Sequence, residues 1–175
     1  MSVYGAPVLL KRANFLKNKK FIRSVIPAAA GSGVFAADRF VKHLVYHTMY
    51  PGESIEVCPV FSVTYLMNTG MAFSMLTGNN TLLILVNILI SGFIVSLLIS
   101  GKISGILEGI AYSLILGGAL SNIWDRIFHS GVIDYIDLGF FPVFNIADSA
   151  ITIGAVLLFL SLFLESGKVS EPDVS

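Results

Sequence analysis

Three long apolar runs constrain this chain more than any other feature of its sequence. They extend from Thr81 to Ser100, from Ile103 to Ser121 and from Val143 to Leu164. The length of each run is close to the roughly 20 residues that an α-helix needs to cross the hydrocarbon core of a bilayer. With 55% hydrophobic and 13% charged residues, the chain also lies outside the composition of ordinary soluble domains. The sequence therefore predicts an integral membrane protein.

A fourth candidate span, residues 22–46, is less regular than these three. Its uncharged part is short and contains Pro27, and a basic segment followed by a short apolar run is also typical of a cleavable signal peptide. The alternative is a helix that continues through Asp38 and Lys42. These two residues lie four apart, with the acid first, which favours an ion pair on one helical face.

Charge placement predicts the orientation of the helices. Basic residues crowd the N-terminus, and Lys102 lies in the short turn between the second and third spans. Both features place these segments in the cytoplasm by the positive-inside rule, and four crossings would return the C-terminus to the same side. The predicted organisation is a basic cytoplasmic segment (1–21), a transmembrane domain (22–164, with spans at about 22–46, 81–100, 103–121 and 143–164) and a polar cytoplasmic tail (165–175).

The segment between the first two spans, residues 47–80, is not a featureless loop. It contains "SIEVCPVFSVTYLMN", which is rich in β-branched and aromatic residues and follows a Pro-Gly turn. A later stretch between the third and fourth spans, "SGVIDYIDL", also has the composition of an extended segment. The predicted fold class is an all-α membrane protein of four transmembrane helices with a small extracytoplasmic β-sheet.

Polar residues are concentrated near the predicted outer ends of the helices. Asp148 lies about one and a half turns into the fourth span, and Asp134 belongs to the segment that joins the third and fourth spans. The two carboxyl groups can therefore meet near the outer membrane boundary. Two neighbouring carboxyl groups do not both ionise easily, so one can act as a base on water while the other donates a proton.

A structural interpretation of the same residues also fits. Asn145 and Asp148 match an N-cap and an acid in the first turn of a helix. Asp125 and Arg126, which follow the third apolar run, suit an ion pair or an interface anchor. No metal site is predicted, because zinc ligands usually have short paired spacings that the histidines lack: His43, His47 and His129.

The stretches that hold these residues resemble the lipoprotein signal peptidases, the type II signal peptidases of bacteria, from about Asp38 to Leu164. "NTGMAFS" is similar to the family's Asn-x-Gly-Ala-Ala-Phe-Ser stretch, with Met71 in place of a small alanine, and "GGALSNIWDR", "GVIDYIDL" and "FNIAD" follow in the family's order. The resemblance implies that Asp134 and Asp148 are the catalytic pair of a membrane aspartyl protease. Residues implied to bind substrate or orient the pair are Asn68, Gly70, Asn122, Arg126, Asn145 and Ala147. Those implied to support the fold are Asp38, Lys42 and Asp125.

The resemblance also implies the substrate, the location and the partners. The substrate would be a prolipoprotein whose cysteine carries diacylglycerol, cut on the N-terminal side of that cysteine. The enzyme would lie in the bacterial inner membrane with both termini cytoplasmic and its active site at the extracytoplasmic face. It would work as a monomer in contact with membrane lipid, with no cofactor, no metal and no nucleic-acid partner.

Two other functions are open to a chain with these residues. A small proton-coupled transporter or channel would use the carboxyl groups on an ion path, although such folds commonly have internal repeats and helices broken near the bilayer midplane. A membrane scaffold would use them only as caps and anchors. Both alternatives predict that no peptide bond is cut.

Overall fold

The structure is a computed structural model that describes residues 6–70, 79–103 and 105–168, with side chains described within 21–70, 79–103 and 105–163. The expectations for Met71 and for the end of the tail lie outside the described residues. So does the beginning of the basic N-terminal segment.

Four helices form most of the described structure: α1 (Ala6–Thr48), α2 (Asn80–Ile99), α3 (Ile106–His129) and α4 (Ile146–Lys168). Among the described residues, α2, α3 and the segment 146–163 of α4 are long and apolar enough to cross a membrane, with mean hydropathies of 2.8, 1.4 and 2.1. The predicted architecture of four helices and a small sheet is confirmed.

The helix bounds differ from the predicted spans. The helix α1 extends beyond 22–46 at both ends, and it is not among the three helices that meet the length and hydropathy of a span. Its continuation through Asp38 and Lys42 agrees with the second interpretation of the first span. The helix α3 runs past Ser121 to His129, and α4 begins at Ile146 instead of Val143.

The central element of the bundle is α3, because it packs closely against both α1 and α4. A Cβ atom added to Gly117 would lie 2.2 Å from the carbonyl oxygen of Gly31 in α1. A Cβ atom added to Gly118, on the next position of α3, would lie 2.5 Å from the carbonyl oxygen of Ala147 in α4. Glycine allows this approach, as small residues commonly do between helices in membranes.

A three-stranded antiparallel sheet lies against the C-terminal end of α1. Its strands are β1 (Ser54–Cys58), β2 (Phe61–Asn68) and β3 (Val132–Asp137), in the order β1-β2-β3. The first two come from the predicted β segment and the third from the "VIDYID" stretch. Buried side chains join the sheet to α1, namely Val45, Met49, Tyr65, Ile133 and Tyr135. This packing places β3 next to the start of α4.

Candidate active site

Asp134 lies on β3 with its carboxyl group held by two side-chain amides. The Nδ2 atom of Asn68 donates to Asp134 Oδ2 at 2.9 Å, and that of Asn145 donates to Asp134 Oδ1 at 2.7 Å. The pairing of Leu66 with Asp134 and of Asn68 with Val132 brings the end of β2 beside this carboxyl group. Asp134 is only 1% exposed, so its acidic group is removed from bulk water.

Asp148 lies in the first turn of α4, where two asparagines contact it. Asn122 of α3 donates from Nδ2 to Asp148 Oδ1 at 2.8 Å. The backbone N–H of Asp148 donates to Asn145 Oδ1, also at 2.8 Å. Asn145 immediately precedes α4, so this second bond is an N-cap. The cap expected of Asn145 is therefore present, and the same side chain also contacts Asp134.

The two asparagines connect the two aspartates. Asn145 Nδ2 lies 3.3 Å from Asn122 Oδ1, in addition to its bond to Asp134. A continuous chain of hydrogen bonds thus runs from Asp134 through Asn145 and Asn122 to Asp148. The structure brings the two predicted catalytic residues to one place, at the end of the bundle that carries the sheet.

The environment of Asp134 changes its acidity. Burial of the carboxyl group, followed by repulsion from Asp148, raises the pKa of Asp134 from 3.8 to about 7. The hydrogen bonds from Asn68 and Asn145 act in the opposite direction but are outweighed. A carboxyl group with such a pKa carries its proton for about half of the time at neutral pH, which suits a proton donor.

A buried charge cluster lies directly behind Asn122. Lys42 is fully buried, and its Nζ atom contacts Asn122 Oδ1 at 2.8 Å, Asp38 Oδ2 at 2.7 Å and Asp125 Oδ2 at 2.9 Å. The ion pair expected between Asp38 and Lys42 is present, and it belongs to this larger cluster. Because Lys42 approaches the oxygen of the Asn122 amide, the nitrogen of that amide is directed to Asp148.

Asp125 supports the site from the third helix. It pairs with Lys42 and with Arg39 of α1, and it accepts the backbone N–H of Ile133 at 3.2 Å. The latter bond ties α3 to β3 next to Asp134. Asp125 thus has an interface role, and its cationic partners come from α1.

Arg126 and Gly70 form another edge of the site. Arg126 Nη2 donates to the carbonyl oxygen of Gly70 at 3.4 Å, and the Gly70 N–H donates to Asn68 Oδ1 at 3.0 Å. The guanidinium charge also interacts electrostatically with Asp148 and Asp134. These contacts place Arg126 beside the carboxyl pair.

Three side chains that were not among the predicted site residues contact the buried charge cluster. Arg39 pairs with Asp125, Ser121 Oγ donates to Asp38 Oδ2 at 2.6 Å, and Tyr135 OH donates to Asp38 Oδ1 at 3.1 Å. Ser121 could have been found, because it lies four residues before Asp125 on the same helical face. Ala147, which was selected, contributes its backbone N–H to Asp38 Oδ1 at 3.1 Å.

Cation ligands do not cluster in the described parts of the chain. Among the side chains within 21–70, 79–103 and 105–163, no group of three or more His, Cys, Asp or Glu is placed to hold a metal ion.

Comparison with known proteins assigns the chain to a protein family. The family model for signal peptidase (SPase) II matches residues 32–164. A lipoprotein signal peptidase of Haemophilus ducreyi is 39% identical over 146 residues, which cover 79% of this chain and 91% of that protein. One of Serratia marcescens is 41% identical over 156 residues, covering 82% and 90%. A solved bacterial membrane enzyme structure, determined by the in meso method, superposes with a TM-score of 0.79 at 32% identity, covering 86% of this chain and 94% of that one.

Proposed function

Because the chain belongs to the signal peptidase II family, aspartic peptidases that cleave signal peptides from prolipoproteins, we propose that Asp134 and Asp148 are its catalytic pair. The protein is a multi-pass membrane protein with lipoprotein signal peptidase activity, so the transporter and scaffold alternatives are set aside. The observation that carries the assignment is the continuous hydrogen-bonded chain between the two carboxyl groups through Asn145 and Asn122.

In the proposed mechanism, one water molecule lies between the two carboxyl groups. Asp148 takes a proton from this water while the water oxygen attacks the scissile carbonyl carbon, and Asp134 gives its proton to the carbonyl oxygen. The tetrahedral intermediate then collapses: the C–N bond breaks as Asp148 returns its proton to the leaving nitrogen, and Asp134 takes back a proton from one of the two hydroxyl groups as the carboxyl product forms. The raised pKa of Asp134 supports its assignment as the acid.

The surrounding residues orient the reacting groups in this proposal. Asn68 and Asn145 hold the Asp134 carboxyl group, and Asn122 holds that of Asp148. Arg126 and the Gly70 backbone, which border the pair, would bind the substrate backbone. Ala147 has no side chain beyond Cβ, and its backbone N–H contributes to the packing of α4 on Asp38.

We further propose that the substrate carries diacylglycerol on a cysteine and is cut on the N-terminal side of that residue. The acyl chains would lie against apolar helix surfaces that face lipid, such as Leu89 and Phe93 of α2, which are 72% and 65% exposed. Lipid anchoring would deliver the scissile bond to a site near the membrane surface. The enzyme would then need little recognition of the residues that surround the cut.

The proposed topology has four crossings with both termini in the cytoplasm of a bacterium and the sheet outside the inner membrane. The low hydropathy of α1 is compatible with a crossing, because Asp38 and Lys42 are fully buried against other helices and do not face lipid. Charged residues within transmembrane segments usually face the bundle interior and pair there. A monomer and the domain limits 1–21, 22–164 and 165–175 complete this proposal.

The catalytic assignment is tested with a diacylglyceryl-modified prolipoprotein and purified enzyme in detergent micelles. Asp134→Asn and Asp148→Asn should each lower kcat by about a thousandfold, since removal of a general acid or base costs between about a hundredfold and ten-thousandfold. Asp137→Asn is the matched control, because Asp137 lies on the same strand with a half-buried carboxyl group that accepts from Thr64 and Gly139 and contacts neither Asp134 nor Asp148 in the described residues. Normal cleavage by either of the first two variants would refute the assignment.

A further inference from the structure

The first turn of α4 has an unusual set of partners for its backbone amides. The opening N–H groups of a helix have no acceptor within the helix. Here Ile146 N–H donates to the Tyr135 hydroxyl at 3.2 Å, Ala147 N–H donates to Asp38 Oδ1 at 3.1 Å, and Asp148 N–H donates to Asn145 Oδ1 at 2.8 Å. Side chains from β3, from α1 and from the cap residue therefore hold the turn that carries Asp148.

Tyr135 takes part in this arrangement in two ways. Its hydroxyl accepts from Ile146 N–H and at the same time donates to Asp38 Oδ1 at 3.1 Å. Its side chain is 4% exposed and packs in the core between the sheet and α1. Tyr135 also directly follows Asp134 on β3. One hydroxyl group thus connects the strand that carries the first aspartate to the turn that carries the second.

We propose that Tyr135 is a positioning residue of this peptidase, whose hydroxyl fixes the first turn of α4, and with it Asp148, relative to Asp134. The proposal rests on the assignment of Asp134 and Asp148 as the catalytic pair. It adds to that assignment a residue that touches neither carboxyl group of the pair.

The main chain alone does not provide the same constraint. Tyr135 N–H and Ile136 N–H both donate to the carbonyl oxygen of Phe144, at 2.9 and 2.7 Å, so β3 holds the chain just before α4. This contact holds the chain up to Phe144 and does not include the first turn of α4. The bond from Ile146 to Tyr135 and the bond from Ala147 to Asp38 hold the first two residues of α4, and together with the packing of Ala147 on Gly118 of α3 they orient the first turn.

The hydroxyl group can keep this role over a wide range of pH. Burial, followed by the negative charge of Asp38, raises the pKa of Tyr135. The hydroxyl therefore stays protonated and continues to donate to Asp38 under any condition in which the enzyme would be assayed. Phenylalanine has the same ring but could neither donate to Asp38 nor accept from Ile146.

The test compares Tyr135→Phe with Tyr65→Phe in the same cleavage assay. Tyr65 is a matched control because it is 3% exposed and packs in the same core, whereas its hydroxyl is bonded neither to Asp38 nor to α4. Tyr135→Phe should lower kcat by about tenfold or more, because small displacements of reacting groups have large effects on rate. Its KM should stay within about twofold of the wild-type value, since substrate binding is not altered. Tyr65→Phe should leave both constants within about twofold.

Each outcome of this experiment decides the proposal. A folded Tyr135→Phe enzyme with wild-type kcat overturns it, and so does a lower thermal stability without a change in kcat. If Tyr135→Phe does not fold, amide hydrogen exchange of the wild-type enzyme decides. If the Ile146 amide exchanges as slowly as amides in the interior of α4, its bond to the Tyr135 hydroxyl is stable and the proposal is supported. If it exchanges as fast as an unbonded amide at a helix start, the proposal is overturned. Active Asp134→Asn or Asp148→Asn enzyme would instead refute the catalytic pair itself.

Discussion

At the scale of single residues, the oxygen and the nitrogen of the Asn145 side-chain amide make different contacts. Its oxygen accepts the N–H of Asp148 and caps α4, and its nitrogen donates to Asp134 at 2.7 Å. An aspartate or serine could cap the helix equally well, but neither offers the amide nitrogen that contacts Asp134. The choice of asparagine therefore follows from the site as well as from the helix.

The pH dependence of catalysis follows from the raised pKa of Asp134. If Asp134 acts as the acid, the active form of the free enzyme carries its proton, so kcat/KM should be retained just below pH 7 and fall as the pH rises through the pKa of about 7. Above that point the fall should approach about tenfold per pH unit. An assay of kcat/KM from pH 5 to pH 9 with lipidated substrate well below KM measures this limb. A carboxyl group with an ordinary pKa of 3.8 would lose its proton far earlier, and a constant kcat/KM up to pH 9 would contradict the role of Asp134 as the acid.

Residues of the site differ in how well a single sequence identifies them. Asp134, Asp148 and Asn145 could be selected because they are polar residues near the ends of apolar runs, whereas Asn122 was implied by the resemblance of "GGALSNIWDR" to a family motif. Tyr135 could not be selected, because its bond to Asp38 spans 97 positions and depends on how β3 packs against α1. A tyrosine in an extended apolar stretch has the pattern of any strand residue.

At the scale of elements, the C-terminal end of α3 shows why hydropathy underestimates the length of a helix. The apolar run stops at Ser121, but the helix continues to His129 because its polar residues remain inside the protein: Asn122 is 5% exposed and Asp125 is fully buried. The helix ends where Ser130 adopts a left-handed conformation with a φ of 58°, which is a common way to terminate a helix. Hydropathy reports how readily side chains enter lipid, whereas the length of a helix depends on its backbone hydrogen bonds. A helix can therefore continue through polar residues that are buried in the protein.

The contact between α1 and α3 predicts a specific sensitivity to an added methyl group. Gly117→Ala would place a Cβ atom 2.2 Å from the carbonyl oxygen of Gly31, so the two helices would have to separate. We expect the free energy of unfolding to fall by about 1–3 kcal/mol, as is typical of overpacking. Thermal unfolding in detergent micelles measures the effect as a lower Tm.

Gly33→Ala is the control for this substitution. It lies in α1, close to the same contact, but no heavy atom lies within 4 Å of the added Cβ atom. Alanine is favoured over glycine in a helix by about 1 kcal/mol, so Tm should stay the same or rise. Equal effects of the two substitutions would show that the close approach of α1 and α3 does not limit stability.

At the scale of the whole molecule, the polar clusters lie at one end of the bundle. Antiparallel helices alternate in direction, so the end of α1, the end of α3 and the start of α4 meet there. The alternation could be predicted from the order of the apolar runs, and with it the convergence of Asp134 and Asp148. The partner of β3 could not be predicted, because "VIDYID" lies far along the chain from β2 and its pairing is decided by the packing of the bundle.

The orientation of the molecule in the membrane can be tested with its one native cysteine. Cys58 lies exposed on β1. Lys102 lies exposed in the turn between α2 and α3, at the opposite end of α3 from the sheet. If the sheet is outside, a membrane-impermeant maleimide added to intact spheroplasts should label Cys58 in the wild-type protein. It should not label the double variant Cys58→Ser, Lys102→Cys until detergent opens the membrane. Because the basic N-terminal segment and Lys102 are expected on the same side, the reverse pattern of labelling would contradict both the positive-inside argument and an active site at the extracytoplasmic face.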